Sequence, residues 1–155
     1  MSGSRAAPCS IAVYRGGPTG ECLEPPGEID VFELAYATKK GKTEARGSDG
    51  NKIDWIDVIR IYSSEEPRAW VMFSVYYDLI ERGRLVKRGP LPHGFTMYSG
   101  GKPLANIVVL EETVPLVVNS LIEWLQTSRK QGRALILAIV DKHGDVSYYQ
   151  LEGFE

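Results

Sequence analysis

The clearest pattern of apolar and polar positions lies in the last fifth of the chain, where LILAIVDKHGDVSYYQL occupies residues 135–151. A fully apolar run, an acidic turn with Gly144 and an alternating segment bearing two tyrosines spell a hairpin. The apolar strand, residues 134–140, is expected to be buried on both faces at the centre of a sheet, and its neighbour, residues 146–151, to form an edge. Upstream, Met72, Val75, Tyr76, Leu79 and Ile80 recur at helical spacing, with Asp78 and Arg82 opposite and Gly83 closing the run. Strands are expected at residues 84–87, 95–99 and 105–110. A second amphipathic helix, residues 115–130, sets Val118, Leu121, Ile122 and Leu125 on one stripe and stops at Gly132.

The first half is smaller and richer in loops. Residues 10–14, SIAVY, read as a strand, and RGGPTGE as a turn before a return strand through Cys22. Asp30 with Glu33 has the spacing of a capping box for a short helix that stops at Gly41. Asp54 caps another helix, whose inward face is expected to carry Ile56, Ile59 and Trp55. Between them RGSDGNK, residues 46–52, is a polar turn. These elements predict an α/β (α+β) chain with a small N-terminal α/β domain, residues 1–66, and a C-terminal domain, residues 67–155. No internal repeat or low-complexity segment interrupts them.

Composition changes this picture in three ways. With 18 basic and 20 acidic residues the net charge is -2, whereas a domain that grips a phosphate backbone unaided is usually strongly basic, so an RNA ligand would draw positive charge from a partner. Only two cysteines occur, too few for a disulfide framework or a four-ligand zinc site. Cys9 and Cys22 read as reduced thiols in the N-terminal sheet, with a disulfide as the alternative for a hyperthermophile's protein; three Asn and three Gln in the chain lean towards that source. No apolar stretch approaches the roughly 18 residues of a membrane span. The opening MSGSRAAPCS lacks the basic and apolar blocks of a secretory signal, and the expectation is a cytoplasmic protein.

The chain contains no Glu-x-Lys triplet, no phosphate-binding glycine loop and no zinc constellation, and no cofactor is expected. Basic residues cluster at Lys39, Lys40 and Lys42, which read as a solvated face. A second cluster, Arg82, Arg84, Lys87 and Arg88, reads as a groove for an acidic loop or an RNA phosphate.

The segments VYYDLIERGRLVKRG, FTMY and LILAIVDKHGDVSYYQL, in that order, resemble the archaeal tRNA-splicing endonucleases (tRNA-intron endonucleases). More weakly, IDVFELAYATKKGKTEA is similar to that family's N-terminal helix segment. The resemblance implies a nuclease-like C-terminal domain with a central mixed sheet flanked by two helices. It further implies metal-independent excision of introns from precursor tRNA at bulge-helix-bulge motifs, leaving a 2′,3′-cyclic phosphate and a 5′-hydroxyl. In the family a tyrosine takes the proton of the 2′-hydroxyl, a histidine protonates the leaving oxygen and a lysine steadies the charge.

Tyr98 in GFTMYSGG stands at the family's tyrosine position, and Lys130 in SRK near its lysine, with Arg133 as an alternative occupant. The histidine is absent. Leu104 or Ala105 occupies its slot, so the chain alone is expected to be inactive and its catalytic residues to be none, Tyr98 and Lys130 being remnants. Both also have plain structural readings, a half-buried strand aromatic and a cation at a helix C-terminus. His93 does not match the missing acid's position, and His143 reads as a solvated turn residue.

By the resemblance, subunits join through their terminal strands, and an acidic loop docks into a positive pocket of a subunit from the opposite pair. That assigns interface roles to Asp141 and Asp145 in the loop and to Tyr148, Tyr149, Leu151 and Phe154 on the strand. The aspartates also suit the turn for local reasons. The expectation is a structural subunit in a heterotetramer of two catalytic and two structural chains, acting on precursor tRNA with no membrane involved. The alternative is a catalytic or stand-alone RNA-binding homo-oligomer of the same family.

Overall fold

In the computed structural model, residues 8–151 are described, and the chain divides into two compact units at Trp70/Val71. The fold is mixed, with four helices and two five-stranded sheets among the described residues.

In the first unit, strands β1 (Ile11–Val13), β2 (Thr19–Glu24), β3 (Pro26–Asp30), β4 (Glu44–Arg46) and β5 (Lys52–Ile53) form a sheet ordered β3-β2-β1-β4-β5. Here β1 pairs antiparallel with β2 and parallel with β4. Sequence periodicity does not reveal β3, β4 and β5, because strands of two to five residues are too short to show a period of two. Helix α1 (Val31–Lys39) starts at Asp30, whose Oδ1 accepts the Phe32 N–H at 2.8 Å. Helix α2 (Trp55–Ser63) carries a reciprocal cap. The Asp57 N–H donates to Asp54 Oδ1 at 2.9 Å and the Asp54 N–H to Asp57 Oδ2 at 3.0 Å, so two orphan donors are satisfied together. The bond from the Asp54 backbone holds the Asp57 carboxyl below its ordinary pKa.

The inward face of α2 differs from expectation. Val58, Ile59 and Tyr62 are its buried residues, while Ile56 is 37% exposed. Tyr62 meets Phe32 of α1 edge to face at 5.6 Å, so the larger aromatic selects which stripe turns inward. The cysteines also differ from the reduced reading, for Cys9 and Cys22 form a disulfide. Cys22 lies on β2, and Ser10, next to Cys9, donates its N–H to Glu24 O of the same strand, so the antiparallel pairing itself brings the two thiols together.

The second unit contains most of α3 (Ala69–Glu81), then β6 (Leu85–Arg88), β7 (Gly94–Ser99), β8 (Lys102–Glu111), α4 (Val118–Lys130), β9 (Ala134–Val140) and β10 (Val146–Leu151). Gly83, at φ +81°, ends the turn after α3, where the Arg84 N–H returns to Leu79 O. The sheet order is β10-β9-β8-β7-β6, with β8 and β9 parallel and every other pair antiparallel. The central strand is therefore β8. The apolar run of β9 sits one place in from the edge, apolar on both faces because a helix lies on each side.

Register assigns those faces. Leu135, Leu137 and Ile139 of β9 stand opposite Asn106, Val108 and Leu110 of β8, and this face packs against Leu121, Trp124 and Leu125 of α4. The stripe of α4 is thus rotated from the expected one, leaving Val118 and Ile122 67% and 47% exposed. On the opposite face Tyr76 of α3 meets Phe95 of β7 at 5.9 Å. Gly94 admits no side chain, since a Cβ there would lie 2.7 Å from Ile107 O and 2.9 Å from Leu91 O.

A crosslink over a sequence separation of 13 residues restricts the unfolded chain by about 3 kcal/mol in the loop-entropy account. Replacing both cysteines, Cys9→Ser with Cys22→Ser, is expected to lower the urea midpoint of the oxidised protein accordingly. Adding reductant should then shift the wild type but not the double variant; equal midpoints for both proteins would refute the contribution.

Candidate functional site

The tyrosine-bearing end of β7 forms one wall of a recess of about 300 Å³ lined by Gly83, Arg84, Leu85, Met97, Tyr98, Ser99, Gly100, Gly101 and Leu104. A bulge builds it. Met97 pairs with Ala105, but Tyr98 pairs with Pro103, so Leu104 has no partner across the ladder and is 48% exposed. Tyr98 and Leu104 thereby share one small cavity. The Lys87 ammonium lies 6.0 Å from the centre of the Tyr98 ring, a placement that favours an anion beside the phenol.

Neither histidine lines this recess. His93 immediately precedes β7 and Tyr98 lies near its far end, which separates their backbones by about 16 Å at the usual rise per residue, beyond the reach of an imidazole. His93 instead holds a positive φ of 52° and accepts the Val109 N–H on its carbonyl at 3.1 Å. His143 is exposed in the β9–β10 turn.

On the face of the sheet covered by α4 lies a buried polar cluster that pattern reading does not identify. Asn106 of β8 is fully buried. Its Nδ2 donates to Ser128 Oγ at 3.0 Å and to Gln131 Oε1 at 2.7 Å, both at the end of α4. Its Oδ1 accepts from Arg133 Nη1 at 3.1 Å and from the Thr96 hydroxyl of β7 at 3.4 Å. The Arg133 Nε is buried and has no hydrogen-bond partner. Of the two cations considered for the lysine position, Arg133 is therefore the one tied to the sheet, and Lys130 is exposed. The available signal was one amide inside the apolar run LANIVVL, since a buried polar side chain needs partners from elsewhere in the fold.

The other basic residues separate. Arg84 lines the Tyr98 recess, whereas Arg82 Nε donates to Asp78 Oδ2 at 2.8 Å. Arg88 is half-buried on β6. The terminal hairpin separates too. The Tyr148 hydroxyl donates to Asp78 Oδ2 at 2.6 Å and its ring lies 5.9 Å from the Arg82 guanidinium. Burial first, then the Asp78 carboxylate, push the Tyr148 phenol up from its ordinary pKa. Leu151 packs into the cluster under α4, and Tyr149 is 54% exposed. Phe154 lies outside the described residues.

In the turn, Asp141 Oδ1 accepts the N–H groups of His143 at 2.8 Å and Asp145 at 3.0 Å. Asp141 thus organises its own loop, and Asp145 is exposed. Among the described residues no group of three or more His, Cys, Asp or Glu is placed to hold a metal ion, and no helix is long and apolar enough to cross a membrane.

Residues 69–148 match the family model of the tRNA intron endonuclease catalytic C-terminal domain. A tRNA-splicing endonuclease of Methanosarcina acetivorans is 31% identical over 146 residues, covering 90% of this chain and 41% of that protein. Others from Sulfurisphaera tokodaii and Thermococcus kodakarensis are each 29% identical, covering 77% and 86% of this chain and 69% and 81% of those proteins. The chain thus spans about two fifths of the length of the Methanosarcina relative.

Two consequences are measurable. Asn106→Ala leaves a partly buried guanidinium and an amide without their common partner and should cost about 2–3 kcal/mol in urea unfolding, while Arg133→Met should cost less than about 1 kcal/mol because it removes the charge together with its need. Equal losses would contradict this account of the cluster. Because the Tyr148 pKa is raised in the folded state, its contribution is present below the ordinary tyrosine pKa and is lost as pH climbs through the folded value. Tyr148→Phe should cost about 1 kcal/mol at neutral pH and flatten the decline in stability above about pH 10.

Proposed function

The chain belongs to the tRNA intron endonuclease family, and on that premise we propose that it is the structural subunit of an enzyme that excises introns from precursor tRNA at bulge-helix-bulge motifs. One observation carries the reading: the recess that holds Tyr98 contains Leu104 where the family's proton donor is expected, and no imidazole lines it. An aliphatic side chain cannot protonate the departing 5′-oxygen, and loss of a general acid lowers a rate by about 10²- to 10⁴-fold. Tyr98 and the nearby Lys87 and Arg84 retain the character of a phosphate-facing surface without the step that breaks the bond.

In this proposal a catalytic subunit of the same family supplies the tyrosine, histidine and lysine set, two copies of each chain forming a heterotetramer in the cytoplasm. The exposed edge of β10 offers unpaired backbone groups for a partner strand. Tyr149 adds an exposed ring on one face of this strand, while Tyr148 and Leu151 hold the strand to its own subunit. Asp145 and the second oxygen of Asp141 are the acidic groups that dock into a positive pocket, Asp141 Oδ1 being committed to its turn. Arg84 and Lys87 form the basic groove that receives an acidic loop or an RNA phosphate.

The direct test mixes purified chain with its catalytic partner and an intron-bearing precursor tRNA. Cleavage should require the partner, and native mass measurement should give two plus two chains. Efficient cleavage by this chain alone would favour the catalytic homo-oligomer instead. Asp145→Ala is expected to weaken the tetramer by light scattering while leaving the unfolding midpoint unchanged; an undiminished tetramer would remove the docking role.

A further inference from the structure

We propose that the end of α1 and the turn after it form an RNA-binding face on the N-terminal unit, with Lys39, Lys40 and Lys42 on backbone phosphates beside the aromatic pair Trp55 and Trp70. The inference rests on the reading of precursor tRNA as substrate and extends it to a surface away from the Tyr98 recess.

Three cations fall within residues 39–42, and residues 34–43 contain no acidic side chain. A helix C-terminus rewards one or two cations in its last turn, which accounts for Lys39 and Lys40. It does not account for Lys42, which lies past Gly41 at φ +73°. A concentration of like charge of this kind attracts an anionic ligand.

Aromatic surface accompanies the charge. The Lys39 ammonium lies 4.1 Å from the centre of the Trp55 ring, and Lys40 lies 5.7 Å from that of Tyr36. Trp55 meets Trp70 edge to face at 6.4 Å, and Trp70 is 41% exposed. Cations interleaved with accessible aromatic rings suit RNA, which offers phosphates to the first and bases or riboses to the second. A purely acidic protein surface would use the lysines and leave the indoles idle.

The face is also held in shape. N–H groups of Lys40, Gly41 and Lys42 return to the carbonyls of Tyr36, Thr38 and Ala37 at 3.0, 3.0 and 2.9 Å. The buried Thr43 hydroxyl donates to Cys9 O at 2.6 Å, anchoring the turn to the disulfide-bearing segment. A surface ordered before binding forfeits less entropy when it binds.

The experiment uses the assembled complex and full-length precursor tRNA, with affinity measured across a salt series. The variant Lys39→Ala, Lys40→Ala, Lys42→Ala should weaken binding at least tenfold at low salt and reduce the salt slope by about two to three, near one per lost phosphate contact. The charge-retaining variant Lys39→Arg, Lys40→Arg, Lys42→Arg should bind within about twofold of wild type. Trp70→Leu should weaken binding several-fold with the slope unchanged. If the wild-type complex cleaves but the alanine variant matches it in affinity and slope, the RNA face is wrong while the proposed function stands. Impaired assembly with RNA binding intact would identify a protein partner and overturn the RNA assignment. A wild-type complex that neither binds nor cleaves the tRNA overturns both.

Discussion

A single buried amide, Asn106, joins the elements around which the second unit is organised. From the central strand β8 it bonds to the end of α4 through Ser128 and Gln131, to β7 through Thr96 and to the segment before β9 through Arg133. Parallel pairing of β8 and β9 requires a crossover, and α4 is that crossover. Apolar contacts between α4 and the sheet are non-directional and permit the helix to slide or rotate. Hydrogen bonds at its C-terminal end are not so permissive, and they hold Arg133 against Asn106 of β8.

The Tyr98 recess shows how a small irregularity relocates chemistry. The bulge between Met97 and Tyr98 leaves Leu104 opposite no residue, and the leucine lines the space beside the phenol. A residue in regular pairing would point alternately to one helix or the other.

The terminal hairpin separates two tasks that sequence alone presents together. Tyr148 reaches inward to Asp78 and Arg82, adding a side-chain tether to an edge strand that is paired with β9 and packed through Leu151. Tyr149, one residue on and so on the opposite face, is exposed. In the turn, Asp141 commits one carboxylate oxygen, Oδ1, to two backbone N–H groups.

The strands and helices with a long enough period were legible directly: α3, α4, β9 and β10 stand where the apolar spacing puts them, and Asp30 and Asp54 cap the helices they precede. The family resemblance likewise rested on ordered local motifs, and residues 69–148 match that family's model. Tertiary structure decided what depends on residues distant in sequence. It chose Val58 and Tyr62 over Ile56, rotated the buried stripe of α4 away from Val118, closed the Cys9–Cys22 bond and gathered Thr96, Asn106, Ser128, Gln131 and Arg133 into one cluster. Periodicity reports which side of an element is apolar to within about one residue, but burial, disulfide pairing and polar networks are properties of two or more segments meeting, and no single segment contains them.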